Sequence, residues 1–118
     1  MTRIVLLVVT GALILAPSAS ASAAAGPRYD VPRGYTRCPQ AEAWNGFFKW
    51  ASVRDTSCRS GARFMAAYAR AADAGPMPTR VRGYECRLRF WRNADGDVYA
   101  SRHTCRRKRV AVRFYGRA

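Results

Sequence analysis

The stretch that decides the fold is "VRGYECRLRFWRNADGDVYASRHTCRRKRVAVRFY", residues 81–115. Apolar and charged side chains alternate along its first part, Val81 to Trp91, as they do in a strand with one buried face. The side chains predicted to face inward are Tyr84, Cys86, Leu88 and Phe90. Those predicted to face solvent are Glu85, Arg87, Arg89 and Trp91.

Two turns divide the rest of this stretch. "RNADGD" at 92–97 is typical of a hairpin turn and Arg107-Lys108 of a second tight turn. On the next strand, Val98 to Cys105, the residues predicted to face inward are Tyr99, Ser101, His103 and Cys105. On the last strand, Val110, Val112 and Phe114 are predicted to face inward, and Ala111, Arg113 and Tyr115 outward. The pattern predicts an antiparallel three-stranded meander.

A helix is predicted from Ser57 to Ala74, capped by Asp55, Thr56 or Ser57. A stripe at helical spacing is expected to be buried: Cys58, Ala62, Met65, Ala69 and Ala72. Three arginines are expected on the opposite side: Arg59, Arg63 and Arg70. Gly75, Pro76 and Pro78 end the helix. We expect the apolar stripe to pack on the inner face of the meander.

The preceding segment is harder to interpret. Gly34 to Cys38 is predicted as a short first strand. Residues 40–54 fit both helical and strand spacing, and Asn45-Gly46 favours a turn followed by a strand from Phe47 to Arg54. Its aromatic residues are interpreted as core, with stacking of Trp44 and Trp50 on sugars as the alternative. The predicted fold is therefore α+β, one helix on a small antiparallel sheet: the three-stranded meander plus one or two N-terminal strands.

Residues 1–25 have the features of a cleavable signal peptide: a basic start at Arg3, an apolar core at 4–16 and a Ser/Ala-rich end. Cleavage is expected after Ala23 or Ala25. Residues 26–33 are predicted as a flexible lead-in and 34–118 as one small domain. We expect a secreted or envelope-associated monomer without a membrane anchor after cleavage.

Four cysteines lie after the signal: Cys38, Cys58, Cys86 and Cys105. An even count in a small exported chain predicts disulfides, and the wide spacing is unlike that of a zinc site. A tight turn at 93–96 would set Cys86 opposite His103, out of register with Cys105. We therefore expect Cys58 to bond one of these two strand cysteines and Cys38 the other, with both arrangements open.

Three segments carry a resemblance: "TSCRSGARFMAAYARA", "VRGYECR" and "HTCRRKRVAVRFYG". Together they resemble a pattern in small, uncharacterised exported proteins of actinobacteria: a Ser-Cys helix start, a Gly-aromatic-x-Cys strand and a closing Cys-turn-Val-x-Phe hairpin. The resemblance covers 56–116 and implies a fold, with no established activity to carry over. The sequence departs from the pattern at Arg107-Lys108, where a glycine is expected, and in its aromatic "WNGFFKW" segment.

The net charge is +14, and loss of Arg3 with the signal leaves +13 on about 93 residues. Such a surface attracts polyanions and anionic membranes. Depending on the hairpin loop length, Arg102 faces Arg87 or Arg89, and the last hairpin sets Arg113 opposite Arg102. We hypothesise an anion-binding platform of four arginines flanked by two aromatic residues: Arg87, Arg89, Arg102, Arg113, Trp91 and Tyr115. The alternative is a solvated cationic face in an arginine-biased proteome.

Catalytic candidates are few. His103 is the only histidine and is interpreted as a packed residue, while Cys58 would be a nucleophile only if free. Asn93, Asp95 and Asp97 are interpreted as a plain turn rather than a calcium loop. No catalytic residue, metal or cofactor is predicted. The preferred function is a non-catalytic binding module for acidic envelope polymers, anionic lipid or extracellular nucleic acid. The alternatives are a protein-recognition or inhibitor-like module and a Cys/His enzyme.

Overall fold

The computed structural model describes residues 11–15 and 26–117, and residues 26–117 form a six-stranded antiparallel sheet with one helix. In chain order the elements are β1 Thr36–Cys38, β2 Phe48–Arg54, α1 Cys58–Asp73, β3 Arg80–Val81, β4 Tyr84–Arg92, β5 Val98–Arg107 and β6 Val110–Arg117. The strand order across the sheet is β1-β2-β6-β5-β4-β3. The predicted helix on an antiparallel sheet is confirmed, and the sheet has more strands than predicted.

The predicted signal peptide lies mostly outside the described residues, which leave out 1–10 and 16–25 together with both expected cleavage sites. Its removal therefore stays a prediction. Within 11–15 and 26–117, no helix has the length and hydrophobicity needed to cross a membrane.

Helix α1 covers one face of the sheet and builds the core with it. Ser57 is its N-cap, since the Ser57 hydroxyl accepts a hydrogen bond from the Ser60 amide. The three arginines predicted to face solvent are exposed, and the predicted stripe lies on the buried side. Phe64 and Tyr68, the largest buried side chains of the helix, were missing from that stripe. The closest approach is at Gly61, where an added Cβ would lie 2.6 Å from Cγ1 of Val53 on β2.

The β4–β5 register differs from the tight-turn prediction by two residues. The connecting loop is Asn93 to Asp97, and Tyr99 is an extra residue between the pairs Trp91↔Ala100 and Arg92↔Val98, which makes a β-bulge. The longer loop and the bulge each shift the pairing by one position. Cys86 consequently faces Cys105 rather than His103.

The predicted disulfide pairing is therefore wrong. The bonds are Cys38–Cys58 and Cys86–Cys105, with Cα–Cα distances of 5.4 Å and 4.0 Å. The first ties β1 to the start of α1, and the second links directly opposed residues of β4 and β5. Disulfides as the state of all four cysteines are confirmed.

Two further turns differ from their predictions. Between β5 and β6, Arg107 pairs with Val110, so the turn is Lys108-Arg109 and Arg102 faces Tyr115 rather than Arg113. The strand predicted from Val81 to Trp91 is split into β3 and β4 by Arg82-Gly83. Both residues of that pair have positive φ, 49° and 77°, as the central residues of a type I′ hairpin turn do.

Replacing Gly61 by alanine tests the contact between α1 and β2. Alanine usually stabilises a helix relative to glycine by about 0.5–1 kcal/mol. Here the new methyl group meets buried, β-branched Val53, and overpacking typically costs about 1–3 kcal/mol. We expect a net loss of about 1 kcal/mol or more in the free energy of unfolding, measured by urea denaturation. The Val53→Ala background removes the clashing methyl, so there the same change should be neutral or stabilising. A gain in stability for Gly61→Ala alone would contradict the close packing.

Candidate anion-binding face

The sheet face opposite α1, called the open face below, carries all six residues of the predicted platform. They lie on β4, β5 and β6 in rows set by the strand register. In the first row Arg89 faces Arg102, and Arg102 faces Tyr115. In the second row, two residues along, Arg87 faces Thr104 and Thr104 faces Arg113. The four arginines therefore occupy two neighbouring rows instead of one four-membered cluster.

Trp91 lies in the row next to the first, on the side away from Arg87, and contacts both arginines of the first row. Its strand neighbour two residues back is Arg89, whose guanidinium carbon is 4.6 Å from the centre of the indole ring. The guanidinium of Arg102, on the adjacent strand, is 6.0 Å from the same ring. Ala100 lies directly opposite Trp91 and leaves room for the large side chain. Cation–π attraction of this kind is worth about 0.5–1 kcal/mol at exposed sites, so it offsets part of the repulsion between Arg89 and Arg102.

The second row combines an exposed arginine with a half-buried one. Arg87 is exposed, whereas Arg113 is half-buried and donates a hydrogen bond from Nε to Thr104 Oγ1 at 3.1 Å. Beside this row is a cavity of about 360 Å³. It is lined by Thr79, Arg80, Glu85, Cys86, Arg87, Thr104 and Arg106.

Carboxylates neutralise little of this charge. Within residues 26–117 the one ion pair joins Arg80 to Glu85 at 2.8 Å, with both side chains more than 70% exposed (73% and 75%). An exposed pair of this kind contributes only about 0–1 kcal/mol to stability. None of the four platform arginines makes an ion pair with a described carboxylate.

The N-terminal segment 26–31, part of the predicted lead-in, lies across the open face. Tyr29 stacks on Trp50 with ring centres 4.0 Å apart and meets the Tyr115 ring edge-on at 5.0 Å. Arg117 donates a hydrogen bond to the Tyr29 hydroxyl at 3.2 Å. Trp91 and Tyr115 are consequently only 8% and 1% exposed. These two residues belong to a small second core and do not form an exposed stacking surface.

Trp50 reaches Tyr29 because of an irregularity in β2. The pairing between β2 and β6 shifts between Lys49 and Ser52, and Trp50 has φ of 50°, unusual for a bulky residue. Trp44 lies on the other side of the sheet, against α1, where it shares a cavity with Ala66 and Arg70. The structure therefore does not bring Trp44 and Trp50 together as one sugar-stacking site. The interpretation of this segment as core holds for Phe48, which is 0% exposed.

His103 is fully buried on the helix side of the sheet. The Tyr68 hydroxyl donates a hydrogen bond to the Pro78 carbonyl oxygen at 2.8 Å, so it must accept the hydrogen bond from the protonated Nδ1 of His103 at 2.9 Å. The other ring nitrogen, Nε2, then accepts from the Ser101 hydroxyl at 2.7 Å. This arrangement holds a neutral imidazole, and burial lowers its pKa from 6.5 to about 3.

The Cys58/His103 nucleophile and base pair is not assembled. Cys58 is bonded to Cys38, while His103 contacts Tyr68 and Ser101 inside the core. In the 93–97 loop, the Asn93 side-chain oxygen accepts hydrogen bonds from the Asp95 and Asp97 amides, both at 3.0 Å, as in a plain turn.

Sequence reasoning identified the open face but missed Arg28 and Tyr29, which complete it. The sequence did contain an indication of their role, because an aromatic and a basic residue stand side by side in the segment predicted as a flexible lead-in. The resemblance to small exported actinobacterial proteins stays a prediction. No family model, curated protein or solved structure matches this chain.

Proposed function

We propose that this protein is exported and binds acidic polymers of the cell envelope through the open face of its sheet. The observation that carries the proposal is the direct opposition of Arg89 and Arg102, neither of which has a carboxylate partner within residues 26–117. Like charges at directly opposed sheet positions destabilise the sheet. An anion placed between the two guanidinium groups converts this repulsion into two charge-assisted contacts.

The spacing of the arginines suits a polymer better than an isolated ion. Side chains on one face of a strand repeat about every 6.8 Å, and neighbouring strands are about 4.8 Å apart. Six arginines lie on this face on three adjacent strands. Arg87 and Arg89 on β4 are one repeat apart, and the pairs Arg102 and Arg106 on β5 and Arg113 and Arg117 on β6 are each two repeats apart. A chain of repeated negative charges can contact several of them at once, which raises its affinity without any single strong contact.

Export is supported by two separate features. The N-terminal sequence has the three regions of a signal peptide, and both pairs of cysteines are bonded. Disulfides persist in oxidising compartments, where a domain of about 93 residues also benefits from them. Cleavage after either Ala23 or Ala25 would leave Arg28 and Tyr29 in the mature chain.

The proposal is tested by comparing two variants that lose the same charge on different faces. Arg87→Gln/Arg89→Gln/Arg102→Gln changes the open face, and Arg59→Gln/Arg63→Gln/Arg70→Gln changes the exposed side of α1. Binding of the exported protein to fluorescent polyphosphate and to poly-L-glutamate is measured at 50 and 200 mM NaCl. We expect wild-type affinity to fall steeply with salt, by about tenfold or more.

The open-face variant should bind at least tenfold more weakly than wild type at 50 mM NaCl. The slope of the logarithm of its affinity against the logarithm of the salt concentration should be smaller by about two to three, because up to three charged contacts are lost. The helix variant should lose much less. Equal losses in both variants would show that net charge alone drives binding and would overturn the proposed face. Affinity that does not change with salt would also contradict it, and would favour the protein-recognition alternative.

A further inference from the structure

We infer that the cavity between the N-terminal segment and strands β4 and β5 is a binding site for a single phosphate group. The cavity has a volume of about 270 Å³. It is lined by Gly26, Arg28, Asp30, Arg89, Trp91 and Arg102. This inference rests on the proposed function and deepens it, since it names the chemical unit of the polymer that the open face recognises.

The charge of the cavity favours an anion. Three guanidinium groups line it, from Arg28, Arg89 and Arg102, against one carboxylate, from Asp30. Within residues 26–117, Asp30 forms no ion pair with any of them. The lining therefore keeps a net charge of +2, and the mostly buried Trp91 forms part of its wall.

The guanidinium groups of Arg89 and Arg102 contact Trp91 but donate no hydrogen bond to a described residue. Arg89 and Arg102 lie over the Trp91 ring, with their guanidinium carbons 4.6 and 6.0 Å from its centre. Among the described residues, neither arginine donates a side-chain hydrogen bond, in contrast to Arg113 and Arg117 on the same face. Trp91 Nε1 is likewise buried without an acceptor. The residues lining the cavity thus carry several hydrogen-bond donors that have no protein acceptor among the described residues.

The arrangement of these donors favours phosphate over carboxylate. Arg28 comes from the N-terminal segment, Arg89 from β4 and Arg102 from β5, so donors approach from three separate parts of the chain. A carboxylate offers two oxygens in one plane. A phosphate group offers two to four oxygens at tetrahedral angles and pairs well with the planar fork of arginine.

The N-terminal segment has a specific part in this site. Tyr29, held between Trp50 and Tyr115, fixes its neighbour Arg28 beside the cavity. Residues 26–31 would thus supply one wall and one charge of the site.

The test follows the Trp91 indole N–H resonance of the ¹⁵N-labelled exported protein, assigned with the Trp91→Phe variant. Sodium phosphate, the diester dimethyl phosphate and sodium acetate are titrated at pH 7 and constant ionic strength. We expect a saturable shift with phosphate and an apparent affinity at least tenfold weaker for acetate. Saturation by dimethyl phosphate as well would identify phosphodiester units as ligands. A response to inorganic phosphate alone would restrict the site to free or terminal phosphate groups.

Single variants locate the site. Arg28→Gln and Arg102→Gln should each weaken phosphate binding about tenfold, while Arg63→Gln, on the exposed side of α1, should leave it unchanged. Absence of a saturable Trp91 shift, or equal losses in all three variants, would overturn the phosphate site. If polymer binding persists in that case, only the inference fails. If the cavity binds phosphate but the protein binds no polymer, the inference stands and the proposed function fails.

Discussion

Lowering the pH from 7 to 5 is expected to destabilise the wild-type domain by about 2 kcal/mol through one residue, His103. In the unfolded chain His103 takes up a proton near pH 6.5, whereas burial lowers its pKa in the folded protein to about 3. The unfolded state therefore binds more protons throughout this interval. Stability contributed by the neutral imidazole is complete above pH 6.5 and is lost as the pH falls towards 3.

Urea denaturation at several pH values measures this loss. The His103→Gln variant should be less stable at pH 7, because glutamine cannot reproduce both ring contacts with Tyr68 and Ser101. Its stability should nevertheless change little between pH 7 and pH 5, and this flat profile is the diagnostic result. An NMR titration in which the His103 ring of folded wild-type protein protonates near pH 6.5 would contradict the buried neutral state.

The second large effect is expected at the disulfide between Cys38 and Cys58. Their replacement by alanine opens a bond spanning 20 residues, for which the loss in the free energy of unfolding is about 3 kcal/mol. The bond also anchors β1, an edge strand of only three residues. We therefore expect the β1 amides to lose their protection against hydrogen exchange in the double variant, together with the lower denaturation midpoint.

The Cys86→Ala/Cys105→Ala variant is the matched control, because its bond spans a similar 19 residues. It joins two strands that an extended hydrogen-bonded ladder already holds together. The control should lose a similar or smaller amount of stability while its β1 amides stay protected. Unchanged exchange of β1 in the Cys38→Ala/Cys58→Ala variant would show that strand pairing alone holds this edge.

The elements with strong periodicity were predictable from sequence, and the connections between them were not. Helix α1 and strands β5 and β6 follow from the spacing of their apolar side chains. The extra residue at Tyr99 is not visible in that spacing, because Tyr99 continues the sequence alternation of Ser101 and His103. The bulge instead places Tyr99 on the open face, packed with Trp91 and Tyr115, so its predicted inward orientation is wrong. One undetected bulge and one longer loop were enough to change the cysteine pairing. The turn between β3 and β4 could have been predicted from Gly83, a residue typical of turns, but the alternation of apolar and charged side chains takes no account of it.

For the candidate site, the sheet face that carries the arginines was predictable from sequence, whereas the burial of its aromatic residues was not. Alternation placed Arg87, Arg89, Arg102 and Arg113 on one face, and the longer-loop alternative set Arg89 opposite Arg102, as observed. The burial of Trp91 and Tyr115 depends on Tyr29, which lies 62 and 86 positions earlier in the chain. No local pattern encodes a contact over such a separation.

The outermost strands of the sheet bear on how this protein avoids aggregation. β1 and β3 have three and two residues, so each outermost strand offers only a short edge to a second chain. Short edges bearing charged side chains disfavour strand addition, and Arg37 and Arg80 occupy these positions. β5 and β6 are paired along both sides, whereas β3 covers only Tyr84 and Glu85 of β4, and the uncovered outer edge of β4 carries Arg87, Arg89 and Arg92. The short outer strands and the charged side chains on the sheet edges thereby disfavour edge-to-edge joining of neighbouring copies of this chain.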